Sequence, residues 1–243
     1  MGYHPPFLDF FKTPFSLLLI VVNVGIFFWL NKKTIPIESV ATSASSILDR
    51  HEFWRAITSS FSHYNILHII FNVASSWNVR TLEVYLGSSY FLIYLTILVI
   101  LPPFLDALIR RKLFPEEDIW SIGYSCVVCG FMTLIETFQS SVNLFGFNLP
   151  WSIAPFVQII MTSLLIPNAS FIGHLSGVII GYLIRWHLFD WLTPTLYYNL
   201  IPWISIFMFL NYVHTYPNYF TFIKISKVPF RQVRIQNGQI INV

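Results

Sequence analysis

Two apolar segments contain side chains that could together perform nucleophilic chemistry. The segment IGYSCVVCG holds Ser125, and the segment ASFIGHLSGVIIGYL holds His174. A serine beside an imidazole is the minimal activated nucleophile, because the ring takes the hydroxyl proton and later returns it to the leaving group. A lone serine in an apolar helix more often bonds its own backbone. The catalytic interpretation therefore depends on the two segments packing together.

A third segment, SHYNILHIIFN, adds two polar side chains one helical turn apart. His68 and Asn72 are separated by four residues and lie on one face of a helix. They could hydrogen-bond to neighbouring helices. They could instead donate to the negative charge that develops on a carbonyl oxygen during attack by a serine.

A glycine pattern suggests how His174 could reach Ser125. Glycine recurs at every fourth position through the segment that holds His174: Gly173, Gly177 and Gly181. Such small-residue steps allow two membrane helices to approach closely. Gly123 and Gly130, which flank Ser125, form the predicted opposing surface. The few carboxylates in the apolar segments lie near predicted helix ends, and none pairs clearly with His174. We therefore expect a Ser–His dyad without a carboxylate.

The composition places these segments in a membrane. Hydrophobic residues make up 55% of the 243-residue chain and charged residues 10%, against about 25% charged in soluble domains. A polytopic membrane protein in contact with the lipid bilayer is therefore expected. The net charge of +3 gives no indication of nucleic-acid binding.

The cysteines do not indicate a metal centre. Cys126 and Cys129 form a CxxC pair, but no further cysteine or histidine lies at a ligand spacing that would complete a zinc site. Each thiol is expected to behave as a small apolar residue. We therefore predict no metal and no cofactor.

Apolar runs of spanning length predict seven helices. Their approximate ranges are 13–30, 64–80, 88–105, 119–138, 150–167, 170–189 and 196–214. Pro102 and Pro103 are expected to end the third helix. Residues 1–190 are predicted to form one membrane domain with a long, folded first loop (31–63). Residues 191–216 are predicted to form a seventh transmembrane helix, followed by a polar, basic tail (217–243).

The order and spacing of these motifs resemble the rhomboid family of intramembrane serine proteases. The resemblance runs from about residue 49 to residue 186. EFWRAITSSFSHYNILHIIFN is similar to the family's first loop and second helix, through Trp54, Arg55, His63, His68 and Asn72. LEVYLGSSYFLIYL is similar to the entry into its third helix, through Glu83, Gly87 and Ser88. GYSCVVCG stands in the place of the family's G-x-S-G, and GHLSGVIIG stands in the place of its H-x-x-G. The residues of these segments are most similar to a plant-type eukaryotic branch of the family.

The resemblance implies an all-α membrane fold, in which a core of six transmembrane helices is followed by an additional C-terminal helix. It implies that Ser125 is the nucleophile and His174 the general base. His68, Asn72 and the backbone N–H of Ser125 would hold the oxyanion. The implied substrates are single-pass transmembrane proteins. The endomembrane system (ER or Golgi) is the favoured location, and the oligomeric state stays open.

Two positions depart from the family pattern and keep alternatives open. Cys126 stands where the family has glycine, and Cys129 stands where an aromatic ring commonly stacks on the histidine. A catalytically inactive rhomboid-like protein that binds transmembrane clients is therefore the second hypothesis. A channel or transporter is the third, since intramembrane histidine and asparagine can line ion paths.

Overall fold

The computed structural model describes residues 12–144, 147–165, 170–217, 233–236 and 239–242. The helices in these ranges are α1 (Pro14–Lys33), α2 (Arg55–Phe61), α3 (Ile66–Val79), α4 (Thr81–Leu86), α5 (Ser88–Leu113), α6 (Ser125–Ile135), α7 (Ala154–Leu165), α8 (Phe171–Arg185) and α9 (Pro194–Thr215). Two short antiparallel hairpins, β1–β2 (Ser141–Leu144 and Phe147–Pro150) and β3–β4 (Val233–Gln236 and Gln239–Asn242), complete the described structure.

Three of the described helices, α1, α5 and α9, are long and apolar enough to cross a membrane. Together with the shorter apolar helices α6, α7 and α8, they form a helical membrane protein, which confirms the predicted fold class. The β1–β2 hairpin follows the predicted fourth helix (119–138), in a connection where no strand was predicted. The predicted polar tail contains β3–β4.

Helix α6 forms the centre of the fold. Every residue of α6 except Cys126 is buried. It packs against α8 along Gly177 and Gly181, which form a glycine seam between the two helices. A Cβ at Gly181 would lie 2.6 Å from the carbonyl oxygen of Gly130. A Cβ at Gly177 would overlap the backbone of Cys126. Glycine is required at both positions because the two backbones are in direct contact.

The prediction for the third helix was wrong at its C-terminal end. Helix α5 continues through Pro102 and Pro103 to Leu113. A proline inside a helix removes the hydrogen bond to the carbonyl four residues earlier. For Pro103 that carbonyl belongs to Val99. The Ser60 hydroxyl lies 3.4 Å from it but donates at 2.8 Å to the carbonyl of Ala56, so it gives Val99 only a weak, shared contact.

Four helices are shorter than predicted. Helix α3 has 14 residues, α6 has 11, α7 has 12 and α8 has 15. The largest difference is at the start of α6, where residues 119–124 are not helical. Ser121 forms an isolated antiparallel bridge with Thr42, and Gly123 has φ of 116°. This left-handed region interrupts a helix, and few residues other than glycine adopt it.

The first loop is folded, as expected. It contains a 3₁₀ turn (Ile37–Ser39), a π-helical turn (Ser45–Asp49) and α2. The C-terminal part of α9 packs on it. The Trp54 ring lies 5.3 Å from that of Tyr212, and Asn211 Oδ1 accepts a hydrogen bond from the Phe53 N–H at 3.1 Å.

Candidate active site

Ser125 and His174 meet at the start of two helices that pack together. His174 Nε2 lies 2.6 Å from Ser125 Oγ, within the 2.6–3.2 Å reach expected for a nucleophile and its base. Both residues are buried, with 2% and 3% of their surfaces exposed. Ser125 is the first residue of α6, and His174 lies in the first turn of α8. The sequence predicted this pairing from the glycine seam.

The turn that precedes Ser125 is fixed by three contacts. The Gly123 N–H donates to the Ser59 carbonyl at 2.9 Å, and the Tyr124 N–H donates to His63 Nε2 at 3.2 Å. A Cβ on Gly123 would lie 2.5 Å from the His68 ring. Gly123 therefore faces α3, and this corrects the prediction that it opposes the glycines of α8.

The first turn of α8 is fixed by a helix cap. The Ser170 hydroxyl accepts a hydrogen bond from the Gly173 N–H at 2.9 Å, which satisfies one of the unpaired donors at a helix N-terminus. Gly173 contacts this cap and Asp106. It therefore does not belong to the seam that Gly177 and Gly181 form with α6. His174 Nδ1 has no hydrogen-bond partner among the described residues.

The structure separates the two predicted oxyanion donors. His68 lines the same cavity as Ser125 and His174, and its Nε2 atom has no partner in the described part of the chain. Asn72 is buried one turn later and is not a lining residue. Its Nδ2 donates to the His68 carbonyl at 2.9 Å. An amide nitrogen has two N–H groups, so one remains available after this bond.

The wall of the cavity is mostly apolar but carries several hydroxyl groups. Its volume is about 40 Å³, which is room for a few water molecules. Besides Ser125, the hydroxyl-bearing residues in its wall are Thr42, Ser59, Ser60, Ser121 and Ser170. These hydroxyl groups can hydrogen-bond water in the cavity.

The sequence analysis did not identify the buried ion pair beside the cavity. Arg110 Nε donates to the two carboxylate oxygens of Asp106 at 3.0 and 3.1 Å. The two residues are 5% and 3% exposed. Their spacing of four residues was a usable signal for an ion pair. It was missed because α5 was expected to end at the prolines.

The other residues singled out by sequence lie outside the cavity and hold its frame. Arg55 donates to Glu52 at 2.6 Å and to the carbonyls of Glu38 and Ala41, which joins parts of the first loop. Trp54 packs against α9. Glu83, which is 1% exposed, accepts hydrogen bonds from the start of α1 and from the Ser88 hydroxyl.

The two cysteines have different surroundings. Cys129 is fully buried and packs with Ile159 and Val178, and Tyr182 is partly buried against the same cluster. Cys126 is partly exposed and lines the cavity. Both thiols are free, and no cluster of three or more metal-ligating side chains occurs in the ranges that the structure describes.

The comparisons with known proteins agree with this architecture. The model of the rhomboid domain family matches residues 50–191. Rhomboid-like protein 15 of Arabidopsis thaliana is 32% identical over 164 residues, which cover 62% of this chain and 40% of that protein. Human Rhomboid-related protein 4 is 28% identical over 177 residues, covering 69% of this chain and 55% of its own length.

A third relative is named as a protease. Rhomboid-type serine protease 2 of Eremothecium gossypii is 29% identical over 132 residues, which cover 51% of each chain. The chain thus spans about half the length of the curated relatives that it matches.

Proposed function

Because this chain belongs to the rhomboid family, we propose that it is an intramembrane serine endopeptidase. It would hydrolyse peptide bonds in or near the transmembrane segments of single-pass membrane proteins. The observation that carries the proposal is the 2.6 Å separation between Ser125 Oγ and His174 Nε2, in a cavity among membrane helices. The separation matters because a serine hydroxyl is a poor nucleophile until a base accepts its proton.

The proposed reaction has two covalent steps. Ser125 Oγ bonds to the scissile carbonyl carbon while His174 Nε2 takes the hydroxyl proton. His174 then gives this proton to the amine nitrogen as the C–N bond breaks, which leaves an acyl ester on Ser125. A water molecule, deprotonated by the same ring, then attacks the ester carbon. As the ester C–O bond breaks, His174 returns this proton to Ser125 Oγ, which releases the acid product and the free Ser125 hydroxyl.

The negative charge on the carbonyl oxygen needs donors in both steps. His68 Nε2 faces the cavity without a partner, provided that its tautomer carries the proton on this nitrogen. The backbone N–H of Ser125 would be the second donor, whereas Asn72 lies outside the cavity wall and would have to move to bring its free N–H to the oxyanion. Loss of one such donor typically costs about 10²–10³ in rate.

The experiment is cleavage of a reporter transmembrane substrate by the full chain in liposomes. Ser125→Ala is expected to reduce cleavage to the background level. Ser176→Ala is the matched control. Ser176 is a fully buried serine of α8 outside the cavity wall, so this variant should cleave at the wild-type rate. Equal cleavage by the wild type and Ser125→Ala would refute the proposal.

The second candidate function is the binding of transmembrane clients by a rhomboid fold that has no protease activity. The partly exposed thiol of Cys126 lies in the cavity wall next to Ser125, where a side chain narrows the approach of a substrate. A protein that binds transmembrane clients equally well before and after Ser125→Ala, and turns none of them over, would be an inactive rhomboid-like protein.

Residence in the endomembrane system stays a prediction, which imaging of the tagged full chain would test.

A further inference from the structure

The buried Asp106–Arg110 pair contacts both segments that carry the proposed dyad. Asp106 Oδ2 accepts a hydrogen bond from the Ser121 hydroxyl at 3.3 Å. Arg110 Nη2 donates to the Ser170 hydroxyl at 2.7 Å. Ser121 lies four residues before Ser125, and Ser170 lies four residues before His174.

We propose that Asp106 and Arg110 are positioning residues that set the distance between Ser125 and His174. The pair lies on α5, which packs against both α6 and α8. This inference rests on the proposed protease function, because a distance between nucleophile and base matters only if the two react.

On the Ser125 side, the pair holds the strand-like segment that leads into α6. The backbone of Ser121 is bonded to that of Thr42 in both directions, at 3.0 and 2.7 Å. These bonds fix the segment against the first loop. The Ser121 hydroxyl adds a bond to α5. The start of α6 is therefore held from two directions.

On the His174 side, the pair holds the helix cap. The Ser170 hydroxyl accepts hydrogen bonds from the N–H groups of Arg110 and Gly173, at 2.7 and 2.9 Å. Arg110 therefore bonds to the same oxygen that caps the N-terminus of α8. A rotation or shift of the first turn of α8 would break one of these bonds. His174 lies in this turn, so its ring is held in place by the same oxygen.

A purely stabilising role does not explain the choice of residues. Burying two charges costs desolvation energy, and well-packed apolar residues of similar volume often stabilise a protein equally well or better. Apolar side chains cannot donate to Ser170 or accept from Ser121. The pair therefore supplies directed bonds to two separate segments, which an apolar replacement would lose.

The experiment measures kcat and KM for reporter cleavage in liposomes by the full chain and its variants. Ser170→Ala is expected to lower kcat on the order of tenfold while KM stays within about twofold, because misplacing a reacting group reduces the rate of the chemical step. Ser170→Thr keeps the capping hydroxyl and should retain most of the wild-type kcat. Thr193→Ala removes the matched N-cap of α9 and should leave kcat unchanged.

A double variant separates positioning from stability. Asp106→Leu with Arg110→Met removes both charges, so the protein is expected to keep its melting temperature yet lose kcat at least as strongly as Ser170→Ala. If the double variant fails to fold, the three single variants decide the question. A wild-type kcat for Ser170→Ala, an equal loss in Ser170→Thr, or an equal loss in Thr193→Ala would overturn the inference. Cleavage that persists in Ser125→Ala would instead refute the protease function itself.

Discussion

Gly177→Ala is the substitution that most directly tests the packing of α6 on α8. A Cβ at this position would lie 2.7 Å from the carbonyl carbon of Cys126 and 3.0 Å from its Cα. Carbon atoms in contact are about 3.5–4.0 Å apart. The neighbouring atoms are backbone, which cannot rotate away as a flexible side chain could. The nearest atom is the Cys126 carbonyl oxygen, 2.0 Å away, whereas real Cβ contacts are at least 3.0 Å long. The two helices must therefore separate locally by at least about 1 Å.

This separation acts on the dyad because its members flank the contact. Cys126 follows Ser125 directly, and His174 lies one turn before Gly177 on the same helix. Adding a displacement of about 1 Å to the observed 2.6 Å gives a Ser125–His174 separation of roughly 3.6 Å, beyond the 2.6–3.2 Å reach of a working base. A misplacement of this size is expected to lower the cleavage rate up to about 10²-fold.

The assay is again reporter cleavage in liposomes, with the melting temperature of each variant measured in parallel. Gly25→Ala is the matched control, because a Cβ at Gly25 meets nothing within 4 Å. It adds the same methyl group to a helix away from the site, so its cleavage rate should equal that of the wild type. A folded Gly177→Ala protein that cleaves at the wild-type rate would refute the reasoning.

Two further predictions concern the frame of the site. Glu83→Ala removes the acceptor of the Ser16 N–H, at 2.8 Å, and of the Ser16 hydroxyl, at 2.9 Å; it should lower the free energy of unfolding by about 2–3 kcal/mol, and an unchanged melting temperature in detergent would contradict this. Although burial raises the pKa of Asp118, the hydrogen bonds that it accepts from Ser45 and Ser43 hold the pKa below its usual value. Because the folded pKa is below the unfolded one, the stabilisation is present above the unfolded value of about 3.9 and is lost as pH falls through the folded value. Amide exchange at Ser45, after correction for the intrinsic rate, should therefore be faster below the folded pKa of Asp118 than at neutral pH. Equal protection of this amide under the two conditions would show that the carboxylate does not hold the turn.

The glycine spacing predicted that the helices of Ser125 and His174 pack closely, and the contact between the two residues was inferred from this packing. Small residues at fixed spacing predict close contact between helices, and polar residues at membrane depth indicate a site. Gly177 and Gly181 contact α6 as this pattern requires. The same pattern could not assign Gly173, because a spacing of four does not show where one contact ends and a helix cap begins.

The errors at α5 and α6 have a common cause. Local sequence rules describe a segment by itself, whereas both boundaries depend on distant partners. Helix α5 continues past the prolines and packs against α2 and α8. Conversely, the bridge between Thr42 and Ser121 draws the start of the fourth apolar run out of a helix. Because α5 continues, Asp106 and Arg110 fall within one helix beside the cavity, which the predicted boundary concealed.

The most direct test of the central claim is to identify the residue that a fluorophosphonate probe modifies in the 243-residue chain. Such a probe reacts with a serine only when a base activates the hydroxyl. The account predicts a single phosphonate adduct on Ser125 by peptide mass spectrometry, which is lost in His174→Ala and retained in Thr193→Ala. A protein that cleaves the reporter substrate while Ser125 stays unmodified, or while the adduct persists in His174→Ala, would contradict it.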